Sequence, residues 1–292
     1  MVKWEILNVK ENDFKLKLQK FFQENKNKWL WTIVRIPRSA SGLGIRILKE
    51  IKTSSIDITP DELVDLLSFK LRNVNKLLVE TMLPTNSFTS PNVVWYVHSN
   101  WNVEIFWATD QLLVDNIHQW NIYNPKNNEI YRKLKELSKF LLEQYYKKLW
   151  VVWYFGVDFL LVESTDLPDE NKYFSPNFKA NFNIDGKTYY APIVEVNFRI
   201  NGGMPLAWTQ NLENINTTWK VVSIINTLEI KKDICVITSL KKANLLVDNH
   251  SDKNINWVLP VTVLPWKFQF IIISDSIEEM EKINKKVKNL LW

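Results

Sequence analysis

The sequence predicts an α+β protein in which helices and antiparallel hairpins alternate along the chain. A long amphipathic helical period covers residues 128–147. Short apolar runs with strand character, at 93–98 and 103–108, lie on either side of a turn-like segment. Strands and helices do not follow one another in a repeating βαβ order, which excludes a doubly wound parallel sheet.

Each predicted element depends on a local pattern. Thr59-Pro60-Asp61-Glu62 combines an N-cap residue, a proline at the first helical position and a capping-box glutamate, so a helix begins there. The same logic at Ser276 predicts a last helix, with Ile277, Met280, Ile283 and Val287 facing inward. Other helices are expected at 12–24, 59–71 and 128–147. Strands are expected at 32–36, 45–48, 76–79, 93–98, 103–108, 151–162, 189–199, 234–238, 258–263 and 268–273, with a polar insertion at 165–187.

Leu83-Pro84-Thr85 interrupts the pattern and predicts a subdomain boundary. We therefore expect an N-terminal α+β subdomain at 1–84, a central α+β subdomain at 85–220 and a small C-terminal α+β segment at 221–292.

Composition excludes several classes of protein. The 292 residues are 46% hydrophobic and 24% charged, which is too apolar for a disordered chain. No apolar run reaches the roughly 18 residues of a membrane helix, and residues 1–10 lack the apolar core of a signal peptide. Cys235 is the single cysteine, so a disulfide framework or a cysteine-rich zinc site is excluded. We expect a cytoplasmic protein without a membrane partner.

The net charge of +5 is a mild excess for this length. A nucleic-acid surface needs clustered basic residues interleaved with aromatic residues, whereas the basic residues here are spread along the chain. A lysine-rich solvated surface explains the charge, and we expect no nucleic-acid partner.

The glycine and tryptophan contents are both unusual. Glycine occurs 6 times and tryptophan 14 times, although average usage of glycine is about 7%. Asn100-Trp101 stands between two predicted strands, where a two-residue hairpin turn favours Asn-Gly. Trp257 and Trp266 also lie in turn-like contexts. One hypothesis is a genetic code that reads UGA as glycine, and UGG codons at Trp101, Trp120, Trp257 and Trp266 would contradict it. The alternative is a genuinely tryptophan-rich protein, such as a carbohydrate binder.

The strongest chemical pattern is Glu195-Val196-Asn197-Phe198-Arg199. Side chains alternate along a strand, so Glu195, Asn197 and Arg199 share one face. Carboxylate and amide oxygens are ligands suited to Mg²⁺, and an arginine can bind phosphate or a developing oxyanion. A solvated strand face is the alternative, but the intervening apolar residues indicate a packed strand.

Asp158 places a charge inside an apolar predicted strand. A lone buried carboxylate would be costly. A neighbouring strand bearing Glu195 and Asn197 would complete an oxygen-lined cation site and remove that cost. The alternative is an edge-strand aspartate that faces water.

A third segment, 33–44, contains the end of a predicted strand with Arg35 and then a loop of small residues with Arg38. Its backbone N–H groups could line up to bind an anion, although an ordinary hairpin turn fits equally well. It is not a Walker loop, because no Gly-Lys-Ser/Thr sequence follows and the next element is a strand.

Taken together, these segments resemble the ATP-grasp superfamily over roughly residues 10–210. The match consists of a strand with a cationic residue, a flexible Ser/Gly loop, a strand that ends in a glutamate before a hinge, and two later strands with metal-binding residues. Asp110 to Leu113, Gly156 to Phe159 and 195–203 further resemble the peptide-ligase branch typified by pheganomycin biosynthesis.

The resemblance implies a role for each matching residue. The metal ligands would be Asp158, Glu195 and Asn197, and Arg199 would be the catalytic residue. Nucleotide contacts would come from Arg35, Arg38, Ser39, Ala40, Ser41, Gly42, Gly44, Glu80, Met82 and Leu83. Where the family usually has a lysine that binds phosphate, this chain has Arg35.

The implied activity is ATP- and Mg²⁺-dependent ligation of a carboxylate to an amine through an acyl phosphate, with small-molecule substrates. ATP-grasp enzymes normally carry an N-terminal α/β domain, whereas this sequence starts almost at the first helix. Either a separate subunit supplies that part or the assigned start of the gene is wrong. The alternative is a non-catalytic ATP-binding or partner-binding subunit.

Overall fold

Within the residues that it describes, the computed structural model has two β-sheets with helices packed on them. It describes residues 4–36, 44–53, 56–69, 74–83, 88–114, 117–142, 152–167, 169, 173–174, 179–197, 220–230, 235–246, 257–264 and 267–291. Within these ranges, no helix combines the length and apolar character needed to cross a membrane.

The first sheet belongs to the N-terminal part of the chain. Its strands are β1 (Trp4–Asn8), β2 (Trp31–Arg35), β3 (Ile45–Leu48), β4 (Asp57–Ile58) and β5 (Lys76–Met82), in the order β1-β5-β2-β3-β4. Helices α1 (Phe14–Lys26) and α2 (Pro60–Phe69) contribute Leu18, Phe21 and Leu63 to a core shared with Val34 and Val79. Strands β3 and β4 pair in parallel, whereas β1 with β5, β5 with β2 and β2 with β3 pair antiparallel.

The predicted capping box at the start of α2 is confirmed. The backbone N–H of Glu62 donates to Thr59 Oγ1 at 3.2 Å, and the backbone N–H of Thr59 donates to Glu62 Oε2 at 2.9 Å. Both bonds satisfy donors that a helix start leaves without an intrahelical partner.

The second sheet is larger, and the antiparallel strands β6, β7 and β8 lie at its centre. Its strands are β6 (Phe88–Val97), β7 (Val103–Val114), β8 (Ile117–Tyr123), β9 (Trp153–Phe159), β10 (Leu161–Glu163), β11 (Asn181–Ile184), β12 (Lys187–Tyr190), β13 (Ile193–Asn197), β14 (Val221–Glu229), β15 (Trp257–Leu264) and β16 (Lys267–Ser274). The main path runs β11-β12-β10-β6-β7-β8-β14-β16-β15, while β9 pairs with β6 and β13 pairs with β9.

Helix α3 (Asn128–Leu142) covers one face of this sheet. Leu134 and Leu137 pack with Val93 and Phe155 in the core. Residues two apart on a strand share a face, so the other members of β6 and β9 lie on the opposite face. The helix therefore leaves the even-numbered residues of β6 and β9 on the face away from it.

The last part of the chain continues the same sheet. Strand β14 pairs with β8 on one side and β16 on the other. Helices α4 (Val236–Lys242) and α5 (Ile277–Leu291) pack against it through residues including Leu240, Met280 and Ile283.

Several predicted elements differ from those observed. The predicted strand at 234–238 is wrong, because Val236–Lys242 is helical; a short Ile/Val-rich run does not distinguish strand from helix. The single strand at 151–162 is divided into β9 and β10, the strand at 189–199 spans β12 and β13, and the 165–187 insertion contains β11. Ile277, predicted to face inward, is exposed. Strands β1, β4, β8 and β14 were not predicted.

Tryptophans occupy several backbone positions that normally favour glycine. Positive φ values are found at Trp29 (60°), Trp101 (68°) and Trp153 (145°). The turn at Trp101 is not the predicted two-residue type. The N–H of Trp101 donates to His98 O, and the N–H of His98 donates to Asn102 O, which makes a three-residue loop. Trp257 was expected in a turn, but it begins β15; Trp266 lies outside the described residues.

Candidate functional site

A row of polar side chains crosses the second sheet on the face opposite α3. Glu195 on β13 lies opposite Asp158 on β9, which lies opposite Asn92 on β6, which lies opposite Thr109 on β7. Directly opposed residues on antiparallel strands point to the same face. The sheet therefore gathers these side chains from four consecutive strands.

A β-bulge sets the register that brings the two carboxylates together. Ile193 pairs with Phe159 and Glu195 pairs with Asp158, so Val194 is an extra residue on β13. A bulge inserts one residue and changes the direction of the side chains that follow it. Without the bulge, Glu195 would lie opposite Val157 and would face α3.

The Asp158 carboxylate accepts hydrogen bonds from three amide side chains. Asn92 Nδ2 and Gln111 Nε2 donate to Oδ1, the latter at 3.2 Å, and Asn197 Nδ2 donates to Oδ2 at 2.9 Å. Asn92 is buried, whereas Asp158 is half-buried and Glu195 is exposed. The cluster therefore extends from the buried Asn92 amide to the exposed Glu195 carboxylate.

The chemistry of these donor groups fits a hard divalent cation. Two carboxylates lie opposite each other beside the Asn197 amide, and carboxylate and amide oxygens are the types of group that Mg²⁺ prefers. No group of three His, Cys, Asp or Glu side chains suited to a metal occurs within the described ranges, so a site here needs the amide oxygen as well as the two carboxylates.

Asp110 and Gln111, which are adjacent on β7, belong to different environments. Gln111 faces Asp158 and also accepts a hydrogen bond from Ser90 Oγ at 3.0 Å. Asp110 points to α3, where its Oδ2 accepts from Tyr131 Oη at 2.8 Å and Asn127 Nδ2 at 2.9 Å. Burial raises the pKa of Asp110, although these two hydrogen bonds oppose the shift. Asp110 thus anchors the helix, while Gln111 belongs to the site.

The proposed phosphate and adenine residues lie on the first sheet. Arg35 is at the end of β2, and its Nε donates to Glu80 Oε2 on the neighbouring strand β5. Met82 is the last residue of β5, Leu83 follows it, and both are buried. Gly44 closes the β2–β3 hairpin through a hydrogen bond from the Ile36 N–H to its carbonyl at 2.7 Å. The other loop residues (Arg38, Ser39, Ala40, Ser41 and Gly42) and Arg199 lie outside the described residues.

An apolar cluster joins the hinge to the second sheet. Leu83 and Leu30 pack with Val162, Leu167 and Phe174. This contact attaches the end of β5 to the region around β10, which is paired with β6. The Arg35–Glu80 ion pair and the Asp158 carboxylate cluster therefore lie on two sheets that this apolar cluster joins.

Several solved structures have a similar fold. N5-carboxyaminoimidazole ribonucleotide synthetase PurK, solved with ADP, aligns with 98% of this chain at 16% identity and a TM-score of 0.53. N5-carboxyaminoimidazole synthetase from Staphylococcus aureus, also solved with ADP, aligns with 98% of this chain at 13% identity and a TM-score of 0.54. The biotin carboxylase domain of Hydrogenobacter thermophilus 2-oxoglutarate carboxylase aligns with 97% of this chain at 12% identity and a TM-score of 0.51. The fold is the ATP-grasp fold.

The ATP-grasp match confirms the predicted fold class and not the roles of individual residues. The chain spans 66%, 67% and 61% of the lengths of these three structures. No protein-family model and no curated protein matches the sequence. The nucleotide and metal roles of the residues above remain predictions, as do the domain boundaries.

Sequence reasoning missed Asn92 as a member of the site. It carries no charge and lies directly before the apolar run at 93–98, so it falls outside the predicted strand and no local pattern marks it. Its importance appears only when β9 pairs with β6 and places Asp158 opposite it. No local signal in the sequence would have found it, because this pairing joins strands far apart in the chain.

Proposed function

We propose that this protein is an ATP- and Mg²⁺-dependent ligase that joins a carboxylate to an amine through an acyl phosphate. The observation that carries the proposal is the pairing of Glu195 with Asp158 next to Asn197, on an ATP-grasp fold. Solved proteins of this fold include complexes with ADP, and one with MgADP and bicarbonate.

Asp158, Glu195 and Asn197 would hold the Mg²⁺ that accompanies ATP. When bound there, Mg²⁺ would neutralise charge on the phosphate oxygens. The Asn92 and Gln111 amides donate to Oδ1 of the Asp158 carboxylate.

The reaction would proceed in two displacements. An oxygen of the substrate carboxylate attacks the γ-phosphorus, an O–P bond forms, and the bond from that phosphorus to the ADP oxygen breaks. The amine then attacks the acyl carbon, phosphate leaves with the electrons of the C–O bond, and the amine loses a proton. Catalysis of this kind depends mainly on positioning and on charge stabilisation.

The remaining roles follow from charge and placement. Arg35 would bind the α- and β-phosphates, and residues 38–44 would close over them. Glu80, Met82 and Leu83 would frame the adenine. Arg199 would stabilise the acyl phosphate and the tetrahedral state, because a guanidinium binds two oxygens at once.

The amine is proposed to be that of an amino acid or peptide, as in the peptide-ligase branch that the sequence resembles. A separate subunit that supplies substrate contacts is part of the same proposal. The protein is proposed to act in the cytoplasm.

The test is ADP release with Mg-ATP and pooled amino acids. Asn197→Ala should abolish release while the thermal unfolding midpoint stays close to that of the wild type. Asn183→Ala, an exposed asparagine on β11, is the matched control and should retain activity. Unchanged ADP release by Asn197→Ala would contradict the metal assignment, and wild-type protein that binds ATP without releasing ADP would favour the non-catalytic alternative.

A further inference from the structure

Asn92 is one of the most deeply buried polar residues of the second sheet. The residue is 1% exposed. Its Nδ2 donates to Asp158 Oδ1 and also contacts the carbonyl oxygen of Val157 at 3.4 Å. A buried amide is retained only when its polar atoms have partners, and here the partner is the carboxylate proposed to bind metal.

Gln111 supports the same carboxylate from the next strand. Its Nε2 donates to Asp158 Oδ1, and its Oε1 accepts from Ser90 Oγ. Ser90 Oγ in turn lies 3.3 Å from the carbonyl oxygen of Phe159, on the strand that carries Asp158. A chain of contacts therefore runs from Phe159 on β9 through Ser90 on β6 and Gln111 on β7, and returns to β9 at Asp158.

We infer that Asn92 and Gln111 are positioning residues that fix the orientation of the Asp158 carboxylate for divalent-cation binding. This inference rests on the proposed function. Groups that hydrogen-bond to a metal ligand set its direction, and their loss typically lowers metal affinity or activity by about 10–100-fold. Neither residue needs to touch the cation or the substrate for this effect.

The experiment compares Asn92→Ala, Gln111→Ala and wild type in two measurements. The first is Mn²⁺ affinity in the presence of ADP, followed by electron paramagnetic resonance. The second is the dependence of ADP release on Mg²⁺ concentration. Both variants should weaken Mn²⁺ binding by about 10-fold or more, and saturating Mg²⁺ should restore most of the ADP release.

Asn121→Ala is the matched control. Asn121 is also a buried amide of this sheet, but it bonds to Thr109 Oγ1 at 2.9 Å and His118 Nε2 at 2.8 Å. This variant should lose thermal stability without a change in Mn²⁺ affinity. If Asn92→Ser, a less disruptive variant, folds and keeps wild-type Mn²⁺ affinity, the inference is wrong. Wild-type protein that binds Mn²⁺–ADP but releases no ADP would instead overturn the proposed ligase activity.

A second inference concerns the tryptophans and has independent support. Trp29 follows α1, where its N–H donates to Lys26 O and the N–H of Leu30 donates to Asn25 O. These two bonds form a Schellman motif, in which the residue with positive φ is usually glycine. Trp29 is 93% exposed, so packing does not explain the choice of a tryptophan.

The end of α4 shows what this motif ordinarily contains. There Asn244 has φ 53°, its N–H donates to Lys241 O, and the N–H of Leu245 donates to Leu240 O. The bonding pattern is the same, but the residue is asparagine, which tolerates the left-handed conformation. The β11–β12 hairpin likewise turns through Asp185 and Gly186.

Trp101 repeats the anomaly in the β6–β7 loop. A three-residue loop of this kind has its last residue in the left-handed region, where glycine is favoured. Trp107 and Trp120 add a different anomaly. Their buried indole N–H groups have no acceptor within the described part of the chain, whereas the N–H of buried Trp95 donates to Ser138 Oγ at 3.1 Å.

We therefore propose that positions 29, 101 and 153 are glycine in the protein that its organism makes, through UGA codons read as glycine. Trp95 should be a true tryptophan encoded by UGG. Codon sequencing, with peptide mass spectrometry of protein purified from the organism, tests this directly. UGG codons at these three positions, or peptides with tryptophan masses there, would overturn it.

Stability provides a second measurement. Trp29→Gly and Trp101→Gly should each raise the Tm by about 2–4 °C, because removing Cβ relieves left-handed backbone strain. Trp95→Gly, the control, should lower the Tm, since it empties a core position. A fall in Tm for both test variants would contradict the inference.

Discussion

Arg35 and Glu80 form an ion pair across two neighbouring strands of the first sheet, with Arg35 Nε donating to Glu80 Oε2. Their side chains are 21% and 19% exposed, so the pair is shielded more than an ordinary surface pair. One edge of the guanidinium is thereby held by the carboxylate. Glu80 thus orients the cation that we propose binds the phosphates of ATP.

Replacing Arg35 should weaken nucleotide binding. Hydrogen bonds to charged groups contribute about 1.5–3 kcal/mol, so Arg35→Ala should raise KM for ATP roughly 10-fold or more. The KM of Arg35→Lys for ATP should lie between the values of wild type and Arg35→Ala, because lysine keeps the charge but not the planar guanidinium. Steady-state kinetics checks this. Arg132→Ala, which removes an exposed arginine of α3, should have no effect, and an unchanged KM for Arg35→Ala would refute the phosphate role.

Glu195 should control the metal dependence of the reaction. Glu195→Gln removes a charge while it preserves size, so the Mg²⁺ concentration for half-maximal ADP release should increase about 10-fold or more. Glu195 is exposed, so the stability of the fold should change little. Glu229→Gln, an exposed glutamate on β14, is the control. Identical Mg²⁺ dependence of Glu195→Gln and wild type would exclude Glu195 as a ligand.

Local patterns predicted much of the fold because they depend on neighbouring residues. The start of α2 follows from Thr59 and Glu62, and the position of α3 follows from its apolar stripe. Strand β14 was missed, and helix α4 was predicted as a strand. Short β-branched runs are compatible with either structure. What decides between them is tertiary packing, as where Val236 and Leu240 meet α5.

The candidate site was predictable only in part. Side-chain alternation correctly places Glu195 and Asn197 on one face. Their meeting with Asp158 depends on the bulge at Val194, and one residue of register would turn the carboxylates to opposite faces. No sequence pattern determines that bulge. Neutral Asn92 was missed because its role follows from pairing between strands far apart in sequence.

The capping box of α2 should contribute measurably to stability. Thr59→Ala removes the acceptor of the Glu62 N–H and should lower the free energy of unfolding by about 1 kcal/mol. Thr59→Ser should retain most of the stability because it keeps the hydroxyl. Chemical denaturation monitored by circular dichroism measures both. Equal losses for the alanine and serine variants would mean that the methyl group, and not the cap, is important.

Asp110 should make the stability depend on pH. Burial is the main cause that raises its pKa, so the folded protein holds this proton more tightly than the unfolded chain does. The free energy of unfolding therefore falls as pH rises from the unfolded pKa to the folded pKa, by about 1.4 kcal/mol for each pH unit between those two values. Asp110→Asn keeps an oxygen that can accept from Tyr131 and Asn127 but does not ionise.

The measurement compares denaturation of wild type and Asp110→Asn between acidic and neutral pH. The difference in the free energy of unfolding, Asp110→Asn minus wild type, should increase as pH rises and then reach a plateau above the folded pKa. Asp166→Asn, an exposed aspartate that follows β10, should show no comparable increase. A difference that stays constant over the whole range would mean that the Asp110 carboxyl has the same pKa in the folded and unfolded states, and that its bonds to Tyr131 and Asn127 fully offset the burial.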